Sequence, residues 1–262
     1  MKSPHRWAGI RRAGLGGAAA AALLALPALV HAEDCSRPDR PVVIELFTSE
    51  GCSSCPPAEA AVSALAARPD VLALAYHVDY WDSLGWRDPF SRPDSTRRQE
   101  QYSDALQRGT IGTPQMIVDG RQILTGPLEI RSLPLHEAGP AAVPVRLALE
   151  GGALSVHLDA KSGVERGDVT LIPYLGHAVT VVHAGENAGR TLIENHVVLG
   201  QRSLGAWHGN SFDQRVALAE MPAGATHVAV LVQQPGPGAI LGAACVALPS
   251  RTAAPPGSTA PL

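Results

Sequence analysis

The chain has 262 residues, 45% of them hydrophobic and 17% charged, a composition that excludes a collagen-like, wholly disordered or polytopic membrane protein. The formal charge is −3, but four of the 21 basic residues (Lys2, Arg6, Arg11 and Arg12) precede the first acid, Glu33, so the remainder carries 17 basic against 24 acidic groups, a net of −7. An acidic remainder without a long basic run argues against nucleic acid as a partner.

Residues 1–32 read as a secretory signal peptide. Lys2 to Arg12 form a basic n-region, Gly14 to Val30 an apolar stretch rich in Ala and Leu, and Val30-His31-Ala32 offers small residues for cleavage after Ala32. The apolar stretch, broken by Pro27, is short for a hydrocarbon layer of ~30 Å, and Arg11-Arg12 leaves both the general and the twin-arginine routes open. The mature protein is expected to be periplasmic or secreted, with no membrane span after cleavage, in a compartment where disulfides persist.

From Arg40 to about Gly126 strand and helix patterns alternate. Pro41 to Thr48 is a nearly continuous apolar run, as in a strand buried on both faces. Ala58 to Ala67 is an alanine-rich helix, Val71 to Tyr80 a second central strand, and Asp94 to Arg108 a polar helix capped by Asp94 or Ser95 and ended by Gly109. Gln115 to Val118 and Arg121 to Leu124 flank Asp119-Gly120, a strong hairpin signal. The order β-α-β-α-β-β predicts an α/β layer with a mixed sheet and flanking helices over residues 33–132. Three prolines in 133–144 suit a linker. Seven alternating segments then follow (145–149, 154–158, 169–174, 179–183, 195–199, 212–218 and 227–233), separated by turn residues, and predict an all-β antiparallel sandwich-like domain over 145–249. Residues 250–262 have nothing to bury and are expected to be a disordered tail.

The chemistry concentrates in Cys52-Ser53-Ser54-Cys55, between a buried strand and a helix start. The strand end delivers Cys52 to an exposed turn, the helix N-terminus favours a thiolate, and Cys55, three residues on, is placed to resolve a mixed disulfide on Cys52. Half of a zinc site is a poorer reading, because Cys35 and Cys245 do not form a second pair in sequence. A purely structural bridge closes too small a loop to constrain the unfolded chain much. Glu50 opposes the helix end, and Ser53 and Ser54 add only hydroxyl donors, so moderate acidification of Cys52 is expected. Cys35 and Cys245 most simply pair with each other, closing a loop worth ~4–5 kcal/mol in the chain-entropy picture; the alternative is a buried Cys245 thiol with Cys35 as a lipid or intermolecular site.

The βαβ unit with C-x-x-C at its first helix, followed by a helix and by Thr113-Pro114 leading into a hairpin, resembles thioredoxin over residues 40–127. That resemblance implies an α/β thioredoxin-like domain, a cis bond before Pro114, and a loop at Thr113 and Pro114 that contacts the polypeptide being oxidised or reduced. It also implies that Glu45 accepts the proton of the resolving thiol; the spacing to Cys52 is one residue longer than in thioredoxin, and an edge-facing strand carboxylate without that role is an equal reading. The strings ELFTSEGCSSCPPAE (45–59), HVDYWDSLGWRDPFS (77–91), GTPQMIVDG (112–120) and GENAGRTLIENHVV (185–198) resemble the secreted thioredoxin-like family catalogued as domain of unknown function 1223. Gly112 stands where that family tends to carry an aromatic residue, which implies a wider groove.

His77, Asp79, Tyr80, Trp81, Asp82 and Trp86 cluster where the rim of an α/β site lies; Trp81 and Trp86 are candidates for binding an extended partner or for capping the core. The leading functional expectation is a thiol–disulfide oxidoreductase in which Cys52 attacks, Cys55 resolves and Pro114 aligns the substrate. It needs no cofactor, and its partners are protein thiols and disulfides and a recycling partner the sequence does not identify. The alternatives are a metal-handling protein binding Cu(I) through Cys52 and Cys55 with His77 as third ligand, and a non-enzymatic thioredoxin-like binding scaffold.

Overall fold

A computed structural model describes residues 41–125, 143–163 and 166–250. The expected signal peptide, Cys35, nearly all of the linker and of the tail, and with Cys35 the expected bridge to Cys245, lie outside the described residues. Within them β1 (Val42–Thr48) and β2 (Val71–His77) are parallel and joined by α1 (Pro56–Ala66). Next come α2 (Pro93–Ala105) and the hairpin of β3 (Gln115–Val118) and β4 (Gln122–Leu124), with β3 antiparallel to β1. Asp119 and Gly120 both take positive φ, as the Asp-Gly pair predicts. Gly120 is further required by packing, because a Cβ there would lie 2.2 Å from the Gly238 carbonyl oxygen.

Alternation along β1 sorts its side chains between two layers. Ile44 and Leu46 pack against Ala58, Ala61 and Val62 of α1. Val43 and Phe47 face the other way, into a core with Tyr76 and Tyr102 of α2. Helix boundaries differ slightly from the sequence expectation. Pro56 and Pro57 occupy the first turn of α1 with Cys55 at its N-cap, and Pro93 opens α2 with Arg92, not Asp94 or Ser95, as cap. Proline is pre-organised for those first positions, where the missing N–H has no helical partner to lose. α2 ends early because Gln107 is left-handed, and Arg108 N–H returns to the Ser103 carbonyl.

The second half contributes β5 (Val145–Glu150), β6 (Ala153–Leu158), β7 (Gly167–Val181), β8 (Thr191–Val198), β9 (Arg202–Trp207), β10 (Phe212–Ala217), β11 (His227–Gln233) and β12 (Ile240–Ala247). Two of the expected strands, 169–174 and 179–183, are one. Pro173-Tyr-Leu-Gly176 suggests a break, but the Pro173 carbonyl accepts the Leu199 N–H, and Gly176 packs where a Cβ would meet the His227 ring at 2.9 Å. β9 escaped the pattern because Gly205 interrupts it in a left-handed conformation.

The larger sheet has nine strands in the order β12-β11-β7-β8-β2-β1-β3-β4, with β9 beside β7. It therefore runs across the division expected at 133–144. The 15-residue β7 makes this possible: β11 lies along one edge, while β9 and then β8 share the other. Within the sheet the halves join through a single parallel pair, Ala75 with Val197. The three-stranded sheet β10-β6-β5 covers the far half, and Leu154, Val156 and Val216 interdigitate with Val169, Val230 and Trp207. The described residues thus form a mostly-β α/β fold in which the sandwich packing extends the mixed sheet, because β8 meets β2 and Val143 donates to Leu241 of β12 at 2.8 Å. Among the described residues no helix is long and apolar enough to cross a membrane.

Candidate functional site

β1 ends at Thr48, and the six residues Ser49–Ser54 turn the chain into α1. Cys52 N–H donates to the Ser49 carbonyl at 3.1 Å and Cys55 N–H to the Cys52 carbonyl at 3.2 Å. This tight turn brings the two Cα atoms to 5.5 Å, and the cysteines are joined as a disulfide. Ser54 Oγ lies 3.3 Å from Cys52 Sγ. Two of the helix's leading donors are missing, since Pro56 and Pro57 carry no N–H, and those of Ala58 and Glu59 bond the Cys55 carbonyl. Anion stabilisation at this helix end therefore comes from its dipole more than from free amides.

Exposure departs from expectation. Ser53 and Ser54 are exposed, but Cys52 is 0% exposed, as is Cys55. The cover is a segment of the β-rich half. In the connection between β7 and β8, Asn187 Nδ2 donates to the Glu50 and Cys52 carbonyls at 2.9 and 3.0 Å, and Glu186 accepts from Ser53 N–H at 2.9 Å and Ser53 Oγ at 2.7 Å. Trp81 closes another side: a Cβ on Gly51 would sit 3.2 Å from Trp81 Cβ.

The Thr113–Pro114 peptide bond is cis. Trp81 Nε1 donates to Thr113 Oγ1 at 2.8 Å, tying the cysteine turn to this loop, and Gln99 of α2 donates to the Gly112 carbonyl at 2.8 Å. Ser54, Arg108, Gly112, Thr113 and Pro114 line one open groove of about 400 Å³. A Cβ at Gly112 would touch nothing within 4 Å, so this wall of the groove is open. Trp86 sits on the other flank, its Nε1 donating to Glu50 Oε2 at 2.7 Å. Both tryptophans thus brace the cysteine turn. A larger groove of about 780 Å³, between α2 and the β7–β9 and β11 edges, is lined by charged groups that pair within the protein: Arg98 with Glu45 and Arg202 with Glu220.

Glu45 does not fit the proton-accepting role the thioredoxin resemblance implied. Alternation places it with Val43 and Phe47 on the α2 side, where Arg98 Nε donates to Oε1 at 2.6 Å and the Tyr102 hydroxyl donates to Oε2. Both oxygens are engaged, and Arg98 is itself held between the Tyr76 and Tyr102 rings.

A second polar cluster lies beneath the cysteine turn. His77 ends β2 with Nδ1 2.7 Å from Asp88 Oδ2 and Nε2 3.9 Å from Glu194 Oε2 of β8. Asp88 also accepts the Glu50 N–H at 2.9 Å, and the Thr48 hydroxyl donates to Glu59 of α1. Burial disfavours the imidazolium, but Asp88 and Glu194 outweigh it and raise His77 to about 10. Burial, followed by the charge of Glu59, raises Glu194 to about 9. Burial and Asp88 raise Glu50 as well. Asp88 is opposed by burial, but His77 holds it below the usual carboxylate range. The sequence reading singled out His77 and Glu50 here, but not Asp88, Glu59 or Glu194. The missed signal was charge inside apolar runs: His77 closes VLALAYH, Glu194 interrupts TLIENHVV and Glu59 stands among alanines.

This cluster fixes the sign of a pH effect. His77 and Glu194 both bind protons more tightly folded than unfolded, so their contribution is greatest at low pH and falls as pH rises, from about 5 for Glu194 and about 6.5 for His77 up to about 9–10. The melting temperature is expected to drop by at least roughly 5 °C between pH 6 and pH 9.5, with a shallower decline in Glu194→Gln. Calorimetric melts across that range check it; a flat or rising profile contradicts it. Both nitrogens of His77 face carboxylates, Asp88 and Glu194, and among the described residues no group of three or more His, Cys, Asp or Glu is arranged to hold a metal ion.

A family of proteins of unknown function, DUF1223, matches residues 43–233. The chain belongs to that family. The match spans the cysteine turn, the cis-proline loop and the covering segment, so the DUF1223 unit includes the junction of both halves of the sheet. A crystal structure of protein AGR_C_4864 from Agrobacterium tumefaciens is similar: 29% identical, covering 85% of this chain and 100% of that one, with a TM-score of 0.69. No curated protein matches.

Proposed function

We propose that this DUF1223 protein is a thiol–disulfide oxidoreductase with a thioredoxin-like core, exported to the periplasm or beyond, acting on protein disulfides through Cys52 and Cys55. The observation that carries the reading is the disulfide at the β1–α1 junction, whose neighbour Ser54 shares a groove with the cis Pro114. The core supports it: β-α-β-α-β-β connectivity with strand order β4-β3-β1-β2 puts the cysteine turn and the cis-proline loop at the same end of the sheet. In one direction a Cys52 thiolate attacks a substrate disulfide, the mixed disulfide forms, and Cys55 displaces the substrate thiolate to regenerate the protein disulfide. In the other, one substrate thiolate opens the protein disulfide to a mixed disulfide on Cys52, and a second substrate thiolate displaces Cys52, so that the substrate leaves as a disulfide and both protein cysteines are left reduced. An extended substrate lies in the Ser54–Pro114 groove, with Trp81 bracing its wall. The protein is recycled by a redox partner, and the chemistry needs no bound cofactor. Turnover of insulin disulfides with glutathione as the reductant, together with the equilibrium constant of the 52/55 couple against glutathione, tests the reading; absence of both turnover and equilibration rejects it.

The cover over the cysteines makes this exchange gated. Both sulfurs are shielded in the disulfide form, and the Asn187 and Glu186 contacts hold the shield. Asn187→Ala removes two hydrogen bonds to buried carbonyls and is expected to speed reduction of the Cys52–Cys55 disulfide by dithiothreitol about tenfold. Stopped-flow or quench–alkylation kinetics measure it, and an unchanged rate means that Asn187 is not part of the barrier.

A further inference from the structure

The groove beside the cysteine turn carries one sign of charge. Ser54, Thr110 and Thr113 line it with hydroxyls and Gln115 with an amide; Arg108 is its one ionised side chain, and among the described residues that line it none is a carboxylate. This stands against a net charge of −7 from Glu33 onward. Arg98 and Arg202 of the larger groove are paired with Glu45 and Glu220, whereas the exposed Arg108 makes no ion pair among the described residues. Asp104, the acid nearest to it in the chain, lines the larger groove instead. α2 holds the arginine in place. Gln107 turns left-handed, which ends the helix and lets the Arg108 N–H return to the Ser103 carbonyl at 2.8 Å. Ser103 Oγ donates to the Thr110 carbonyl at 3.2 Å and Gln99 Nε2 to the Gly112 carbonyl at 2.8 Å. The loop that carries Arg108 is therefore pinned to α2 along its length and runs directly into the cis Pro114.

Resting on the thiol–disulfide reading, we propose that Arg108 is the specificity-determining residue of the Ser54–Pro114 groove, and that the groove takes polypeptides with an acidic side chain within a few residues of the reacting cysteine. Ser54 Oγ lies 3.3 Å from Cys52 Sγ, so the groove adjoins the reacting sulfur at Ser54 while Arg108 supplies the charge that recognises the chain delivering the cysteine. A guanidinium offers a carboxylate two parallel N–H donors, which an ammonium does not, and the groove hydroxyls add further donors. With no acid on its wall, a lysine-rich segment finds no partner there and is repelled, so the preference rests on repulsion as well as attraction. The overall negative charge slows acidic partners in general, and the groove cation offsets that repulsion only for a segment that reaches it.

The test uses two acetylated, amidated, fluorescein-labelled peptides in which glutamates or lysines flank the central residue. With serine in place of the reacting cysteine, their binding to the oxidised protein is read by fluorescence anisotropy at low salt. The parent is expected to bind the glutamate peptide about tenfold more tightly than the lysine peptide, with the difference collapsing in about 1 M sodium chloride. Arg108→Glu is expected to invert the preference and Arg108→Lys to keep its direction. Arg121→Glu makes the same change of net charge at the far end of the β3–β4 hairpin, and is expected to leave the preference as it is. A role for Arg108 confined to the C-terminus of α2 moves stability and not this ratio. Equal affinity for the two peptides, no measurable binding of either, a preference that Arg108→Glu leaves intact, or one that Arg121→Glu abolishes equally, overturns the proposal. The same peptides as cysteine disulfides then report turnover, whose kcat/KM ratio is expected to follow the binding ratio. Because the binding arm transfers no electrons, charge preference without turnover rejects the oxidoreductase reading, and turnover without charge preference rejects the role of Arg108.

Discussion

Cys52→Ser is expected to reduce insulin-disulfide turnover by at least about 10³-fold, while Cys55→Ser is expected to retain the first chemical step and accumulate a covalent complex. The asymmetry follows from position. Attack by Cys52 begins the reaction, and its thiolate has the Ser54 hydroxyl and the positive end of α1 near it. A serine hydroxyl there is a far poorer nucleophile toward sulfur, so no intermediate forms. Without Cys55, the mixed disulfide on Cys52 has no internal thiolate to resolve it and persists until an external thiol arrives. Non-reducing electrophoresis of Cys55→Ser with reduced and alkylated controls, and with Cys52→Ser beside it, reads both steps. If Cys55→Ser collects nothing and Cys52→Ser turns over like the parent, the cysteines are structural and the binding-scaffold alternative stands in their place. The Asn187 clamp sharpens the outcome: combined with Asn187→Ala, the Cys55→Ser variant is expected to reach its covalent plateau sooner with the same final yield, because the clamp governs access rather than affinity for the bond.

The legible and illegible parts of the molecule divide along a physical line. Local pattern was sufficient for β1, α1, β2 and the β3–β4 hairpin, because each is short in sequence, strongly apolar or marked by Asp-Gly, and pairs with a neighbour in the chain. β11 followed from its apolar run, Val228 to Val232, between polar ends. What local pattern could not carry was the Ala75–Val197 pairing that fuses both halves into one sheet, since a single residue pair between strands 122 positions apart leaves no periodic trace. The same holds for the site. Cys52 and Cys55 were identifiable from spacing and context, and the cis bond before Pro114 from the resemblance to thioredoxin, but the burial of both sulfurs depends on Glu186 and Asn187, whose distance in sequence from the cysteine turn hides their role. Glu45 shows the converse error. Its position near the cysteines suggested proton transfer, whereas the parity of a strand decides which face it serves, and that parity sends it to Arg98.

Arg98→Ala is expected to lower stability by about 3–5 kcal/mol, because the substitution leaves the Glu45 carboxylate buried with its main cationic partner gone. The guanidinium links three elements. Its Nε donates to Glu45 of β1, one terminal nitrogen reaches the Tyr102 hydroxyl of α2 at 3.2 Å and Gln233 Oε1 of β11 at 3.0 Å, and Gln233 Nε2 returns to the Tyr102 hydroxyl at 2.7 Å. The side chain is buried between two tyrosine rings, so it loses little rotamer freedom beyond what packing already takes and gains cation–π attraction at 5.1 and 5.5 Å. Burial opposes the charge, but Glu45 holds the guanidinium protonated far above any working pH, so the pair does not relax by neutralising on that side. Equilibrium urea unfolding of Arg98→Ala measures the loss. The decisive companion is the double replacement Glu45→Met with Arg98→Met: when both charges leave together the desolvation penalty leaves with them, and most of the lost stability is expected to return. If the double variant is as unstable as the single one, Arg98 acts by bridging β1, α2 and β11 rather than by neutralising Glu45. In that case Gln233→Ala, which removes the β11 end of the bridge and leaves the ion pair intact, should reproduce a large part of the deficit.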